Sequence, residues 1–283
     1  VLNVSTFLLQ WATGGLFFLW ITTRRREVGL GYGWLMRSVF ATLLVGSIVT
    51  SSLDDLPGIA VVGASAMLVS TLTALAFSYV RKPAGVLHQR EQVQSRSARV
   101  TAMTGIERES VTFDTNAREF SPSLDLTAPI IGLLALLIAG LVVRDGSALL
   151  SFRLVVGALF IGAATDTMLL GHWYLVQPGL PRDALREMLN YLIALTPIEI
   201  IVYIIPTGMI SAINGTIDDG YNGILTWFWV ISALATLVLG FVAKAALKER
   251  QYSAVMAVTG LTYLSILTAF STDLIARAIL HKG

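Results

Sequence analysis

Eight separate apolar stretches constrain this chain more than anything else in it, because each is long enough to cross a hydrocarbon core that takes about 20 helical residues. Read with a window of about 19 residues, they run from Val4 to Thr22, Trp34 to Ser52, Gly58 to Val80, Leu126 to Val143, Phe152 to Val176, Met188 to Ile210, Tyr221 to Ala243 and Ser253 to Ala276. Composition agrees. Only 13% of the 283 residues are charged, whereas globular chains carry roughly 25%, and the mean hydropathy is +0.72. The expected fold is all-α: a polytopic integral membrane helical bundle of about eight transmembrane helices, forming a single transmembrane domain over residues 1–283.

The cations predict the orientation. If Thr22 exits on the cytoplasmic side, the cytoplasmic segments hold Arg24, Arg25, Arg26, Arg37, seven Lys/Arg between Arg81 and Arg118, Arg182, Arg186, Lys244, Lys248 and Arg250, which is 16 of the 20 basic residues. The opposite face keeps Arg144, Arg153, Arg277 and Lys282, and its short loops are acidic: Asp54-Asp55, Asp145 and Asp218-Asp219. Short-loop Lys/Arg bias sets topology, so both termini are expected to be extracytoplasmic, in a bacterial cytoplasmic (inner) membrane. The triple Arg follows the first apolar run instead of preceding it, and this run is expected to be a retained span, not a signal peptide. Four plus four spans would relate two halves in parallel, but no internal sequence repeat is evident.

Residues 81–125 form the one long connection, a cytoplasmic loop too short for a core of its own. Val86, Val93 and Val100 recur every seven residues in a polar background, which predicts an interfacial amphipathic helix. The alternation in SVTFDT predicts a short extended piece. Gly29, Gly31 and Gly33 read as a flexible interfacial turn, since this GxGxG neither follows a strand nor opens a soluble helix.

Charged groups at bilayer depth cost about 2.5–3.5 kcal/mol each on insertion scales, so each asks for a partner or a function. Asp166 lies about 14 residues into the fifth span, flanked by Thr165 and Thr167 as hydrogen-bonding neighbours, with Gly162, Ala163 and Ala164 permitting close helix approach. Glu199 falls about midway along the sixth, between Pro197 and Pro206, which free the carbonyls at 193 and 202 and predict a kinked helix lined by Tyr191 and Tyr203. Glu199 and Asp166 are therefore the proton or coupling candidates. Asp273 and Arg277, four apart on one helical face, are expected to form a structural ion pair. His172 with Trp173 and Tyr174 combines a donor with aromatic walls, the make-up of a quinone headgroup site or of an aromatic belt.

Other chemistries lack their residues. There is no Cys, which excludes thiolate zinc, cysteine-ligated clusters and a cysteine nucleophile. One intraspan His excludes a buried bis-histidine haem, the other two being His88 and His281. No metal bound by His or Cys is expected, although Asp54-Asp55 and Asp218-Asp219 share a side and could together meet a divalent cation. The expected partners are the lipid bilayer and other membrane subunits, with quinone and structural lipids as possible small molecules, and no nucleic acid. The leading expectation is an accessory or membrane-anchoring subunit of an energy-transducing, respiratory or related electron-transfer complex, not catalytic on its own. In span count and composition alone the chain is similar to the quinol-binding anchors of bacterial molybdoenzymes and polysulfide reductases. The alternative is a proton-coupled transporter or channel with intramembrane carboxylates; a lipid-modifying enzyme ranks third.

Overall fold

The computed structural model describes residues 3–53, 57–86, 113–114, 117–143, 146–177, 180–249 and 251–282. Among these the elements are helical: α1 Val4–Thr23, α2 Leu30–Thr50, α3 Gly58–Val80, α4 Ser123–Val142, α5 Ala148–Val176, α6 Asp183–Ile204, a six-residue α7 Gly208–Ile213, α8 Ile224–Ala246 and α9 Tyr252–Lys282, with one 3-10 turn at Lys82–Ala84. Eight of them are long and apolar enough to span a membrane, so the chain has the architecture of an integral membrane protein.

The helices form two rings of four. In the first, α1 packs on α2, α2 on α3, α3 on α4 and α4 back on α1; in the second, α5 packs on α6, α6 on α8, α8 on α9 and α9 back on α5. The halves thus share a neighbour order that their sequences do not display. They join where α5 meets α1 and α4. Accordingly α1 and α5 are the most enclosed helices, with 61% of their most apolar windows buried, against 33–44% for the others. Their backbones touch: a Cβ added to Gly14 would lie 1.7 Å from the Ala158 carbonyl oxygen, and one on Gly162 would lie 2.2 Å from the Gly14 carbonyl carbon. Small residues at a crossing serve this purpose in lipid, where dispersion contacts replace the hydrophobic drive. Trp11 Nε1 donates to Thr165 Oγ1 at 2.9 Å across the same seam.

The outward faces are apolar. Val62, Val69 and Leu72 on α3, and Trp227, Ile231, Leu234 and Val238 on α8, are all exposed, a continuous apolar surface that suits a hydrocarbon solvent.

Polar ties close the ends of the bundle. At the Arg-rich end, Arg24 and Arg25 clamp Glu187 of α6 at 2.6 and 2.5 Å, and Arg182 donates to the carbonyls of Glu249 and Gln251 beyond the C-terminus of α8, where a cation also meets the negative end of the helix dipole. At the same end Arg37 of α2 reaches diagonally across the first ring to Asp125 of α4, Nε to Oδ1 at 2.7 Å and Nη2 to Oδ2 at 2.8 Å.

At the opposite end, the Asp219 carboxylate accepts the N–H groups of Tyr221, Gly223 and Thr226 and the Thr226 hydroxyl. It thereby takes the place of an N-cap for α8, which begins after Gly223 at φ +82°. The Thr226 N–H first, then those of Tyr221 and Gly223, hold this carboxyl well below the usual carboxylate range, against the opposing effect of burial. Because the folded group is the stronger acid, its contribution is full above the unfolded value of about 3.9 and is lost as pH falls toward the folded one. Acidification is therefore expected to loosen residues 219–226, read as faster amide exchange there, whereas Asp219→Asn should show weakened protection with no such acid step. Equal acid response in both proteins would contradict the assignment.

Three sequence expectations need correction. The sixth span ends at Ile204, not Ile210: Pro206 lies beyond the helix, with a cis peptide bond to Ile205, so it terminates α6 and does not kink it. Gly31 and Gly33 are not a flexible turn but the first turn of α2, where the absent Cβ atoms leave room for Trp173, 3.4 Å from a Cβ at Gly31, and for the Arg37 guanidinium, 2.7 Å from one at Gly33. Val86 is buried; Val93 and Val100, the rest of the expected interfacial helix, and most of SVTFDT lie outside the described residues. Asp218-Asp219 offers no open cation site, since backbone donors saturate Asp219 and Asp218 Oδ1 accepts from the Gly220 N–H. Asp54-Asp55 lies outside the described residues, among which no group of three potential ligands approaches metal-binding geometry.

Candidate functional site

The second ring encloses a cluster of buried charge. α9 places Asp273 and Arg277 one turn apart, and Arg277 Nη2 donates to Asp273 Oδ1 at 2.7 Å. α6 supplies Tyr203, whose hydroxyl donates to the same Oδ1 at 2.9 Å, and Glu199 one turn earlier. α1 crosses from the first ring to contribute Gln10, which accepts from Arg277 Nη1 at 2.5 Å and donates to the Leu154 carbonyl at 2.7 Å. Gly157 of α5 makes the approach possible: a Cβ there would stand 2.8 Å from Arg277 Nη2 and 3.0 Å from Asp273 Oδ1. Glu199 and Asp273 are both 0% exposed.

The cluster is incompletely paired. The Glu199 carboxyl lies within hydrogen-bonding contact of the Asp273 carboxyl and in the fields of Arg277 and Arg153, yet apart from that carboxyl–carboxyl contact both Glu199 oxygens, Asp273 Oδ2 and Arg277 Nε find no donor or acceptor among the described residues. Two ionised carboxylates are acceptors only, so they cannot satisfy one another. Arg153 flanks the site from α5 and donates to the Val202 carbonyl at 3.1 Å and the Ile205 carbonyl at 2.5 Å, taking up acceptors released where α6 ends.

Apolar layers close the cluster on both sides. Toward the Arg-rich end stand Phe160, Ala164, Leu192 and Ala269. Toward the other, Tyr203 joins Met209 and Ala212 of α7, Trp229, Ala276 and Ile279. Glu199 is not midway along its helix, as the sequence suggests, but five residues from the Ile204 end and sixteen from Asp183, about 8 and 24 Å at 1.5 Å per residue. The sequence misplaces it because the apolar run continues past Pro206.

Asp166 belongs elsewhere. It sits ten residues from the Val176 end of α5, about 15 Å from the Arg-rich end, and its Oδ1 accepts from the Tyr32 hydroxyl of α2 at 3.5 Å. The neighbouring hydroxyls do not serve it: Thr165 and Thr167 donate to the carbonyls of Ile161 and Ala163. The structure therefore does not bring Asp166 and Glu199 together.

Nor does it gather His172, Trp173 and Tyr174 around one cavity. His172 is exposed on the outer face, its Nδ1 3.1 Å from the Tyr263 hydroxyl. Trp173 packs on the Tyr32 ring, with centroids 5.7 Å apart. Tyr174 is buried, with its hydroxyl donating to the Pro181 carbonyl. Consecutive helical residues point about 100° apart, and these three make separate contacts.

Tyr191 likewise stays away from Glu199, edge-on to Phe18 at 5.5 Å. Sequence reading paired Asp273 with Arg277 but missed Gln10, Gly157 and Arg153 as parts of one cluster; a Gln inside an apolar span was the available signal for the first. It placed Arg37 among the cytoplasmic cations and Asp125 at the end of the long cytoplasmic loop without pairing them, whereas their side chains are 1% and 2% exposed and in contact. No known protein family, curated protein or solved structure matches the chain.

Proposed function

We propose that this chain handles protons inside a bacterial cytoplasmic membrane, with both termini extracytoplasmic, as an accessory or anchoring subunit of an energy-transducing electron-transfer complex. The observation that carries the reading is the Glu199 carboxyl, wholly buried, in contact with the Asp273 carboxyl and with no donor group to either of its oxygens among the described residues. A group held for packing alone would be expected to find donors, since unpaired buried acceptors are costly. Here the missing donor is a proton, and Arg277, fixed by Gln10 and Asp273, supplies the standing positive charge that keeps the remaining negative charge in place. The Lys/Arg bias supports the orientation: Arg24, Arg25, Arg81, Lys82, Arg182, Arg186, Lys244 and Lys248 all flank the helix ends at one side. The proton role rests on this cluster and not on a three-residue quinone pocket at His172, given the divergent directions there. Apolar exposed faces on α3 and α8 suit lipid or the helices of neighbouring subunits.

The second reading, a proton-coupled transporter, draws on the apolar layers at both sides of the cluster and on the break between α6 and α7, which together describe an occluded site beside a discontinuous helix. Glu199→Gln tests the shared element. Glutamine keeps the shape and offers Asp273 an N–H donor, so the fold should hold while the proton-coupled rate of the native membranes falls by roughly 10²-fold. A variant that folds and retains the rate would remove Glu199 from the mechanism. Redox subunits recovered with the chain in gentle extraction favour the complex; solute-driven proton uptake by the chain alone in liposomes favours transport.

A further inference from the structure

Asp166 is a buried carboxylate outside the cluster, and unlike Asp125, which Arg37 holds, and Asp219, which backbone N–H groups hold, it meets neither a cation nor a backbone donor among the described residues. Its Oδ2 has no partner among the described residues, and it is 0% exposed. We propose that Asp166 and Tyr32 form a second proton-exchanging site, separate from the Glu199–Asp273 pair and serving the opposite, Arg-rich end of the bundle.

Position separates the two sites. Gly157, which borders Asp273 and Arg277, and Asp166 are nine residues apart on α5, a rotation of about 180° and a rise of about 13 Å. The two sites therefore lie against opposite faces of α5: Glu199 and Asp273, from α6 and α9, meet its Gly157 face in the second ring, whereas Asp166 points toward Tyr32 of α2 in the first. The Phe160, Ala164, Leu192 and Ala269 layer stands between the two levels and offers no group that can carry a proton.

Chemistry points Asp166 toward the Arg-rich end. Tyr32 is the titratable group that acts on it, and among the described residues no other from the helices packed around it does so. Tyr32 is itself enclosed, against the Trp173 ring, and its hydroxyl lies within the electrostatic reach of Tyr174. Tyr174 in turn donates to the Pro181 carbonyl in the connection between α5 and α6, and feels Glu27, Asp183 and Arg25 at the end of the bundle. Polar groups thus succeed one another from the surface inward and stop at Asp166. In the exchange, a hydronium ion from solvent at the Arg-rich end gives a proton to the Tyr32 oxygen and is left as water, while the Tyr32 hydroxyl proton passes to Asp166 Oδ1; release reverses the order. Only O–H bonds form and break, and water is the only co-reactant.

The test uses the full chain, reconstituted in vesicles in a single orientation, in a Glu199→Gln background so that the two sites are read separately. Infrared difference spectra record the carbonyl band of a protonated carboxylic acid while pH, or D2O, is stepped on one side. The expected result is a band that is lost in Asp166→Asn, shifts in Tyr32→Phe, and responds to steps at the Arg-rich end before those at the other. If Asp166→Asn does not fold, the Tyr32→Phe shift still assigns the band. A band that answers only to the opposite end, one that answers to neither, or no Asp166 band at any pH would overturn the proposal. A Glu199→Gln variant with unimpaired proton coupling would defeat the reading of the Glu199 cluster and leave this one standing.

Discussion

Arg37→Ala is expected to cost the fold about 3–5 kcal/mol, the range for breaking a buried ion pair from one side. The guanidinium is 1% exposed and holds both oxygens of Asp125, itself 2% exposed, at 2.7 and 2.8 Å. It also donates to Ser78 at 3.2 Å and lies over the Phe120 ring, 4.6 Å from its centroid. Alanine leaves the Asp125 carboxylate with the Thr23 hydroxyl, at 2.9 Å, as its remaining side-chain donor. The loss is greater than that of a surface pair because the abandoned charge has no water to turn to. Four elements meet at this point: α1 through Thr23, α2 through Arg37, α3 through Ser78 and α4 through Asp125. Unfolding in detergent should therefore shift strongly for Arg37→Ala and for Asp125→Ala. The double replacement Arg37→Met with Asp125→Leu should recover most of the loss, since apolar substitutes for buried pairs are often neutral or better. If Arg37→Ala unfolds like the parent protein, the pair is not buried as described.

The spans were legible because apolar length is a one-dimensional property: hydropathy needs no knowledge of neighbours, and each expected stretch overlaps a helix. The ends were less so. Trp34 as the start of the second span missed Leu30 to Gly33, since glycines read as a turn until a neighbouring helix is seen to fill the space of their missing side chains. Ile210 as the end of the sixth missed Pro206 as a stop, because Ile204, Ile205 and Ile210 are equally apolar on either side of it. The candidate site was legible only where its partners share a helix. Asp273 and Arg277 pair at i, i+4, a spacing the sequence displays; Gln10 lies 267 positions from Arg277, and nothing local in the chain announces that contact. The same limit explains Arg37 and Asp125, two charges 88 positions apart that the sequence leaves unpaired and the first ring brings face to face. It explains His172, Trp173 and Tyr174 in reverse, since adjacency in sequence on a helix means divergence in space.

Gly14→Ala should be nearly as damaging as the loss of the ion pair, although it adds a single methyl group. The new Cβ would stand 1.7 Å from the Ala158 carbonyl oxygen and 2.6 Å from its carbon. Both are backbone atoms of α5, so no side-chain rotation relieves the clash, and the two helices must move apart. Overpacking of this kind costs about 1–3 kcal/mol and occasionally more. Separation also weakens the bonds that cross the seam, from Trp11 to Thr165 and from Gln10 to Leu154 and Arg277, each worth about 0.5–1.5 kcal/mol. A total of about 3 kcal/mol or more follows. Gly260→Ala is the control: it adds the same methyl to α9 in open space, and by helix propensity it should be neutral or stabilising by about 0.5–1 kcal/mol. Unfolding midpoints measured for both in one detergent should move in opposite directions, and equal shifts would show that α1 and α5 do not touch at Gly14. The displacement also reaches the chemistry. Gln10 is the contact by which the first ring steadies Arg277, so a shifted α1 releases the guanidinium that faces Glu199 and Asp273, and the proton-coupled rate should fall even in the fraction of Gly14→Ala that remains folded.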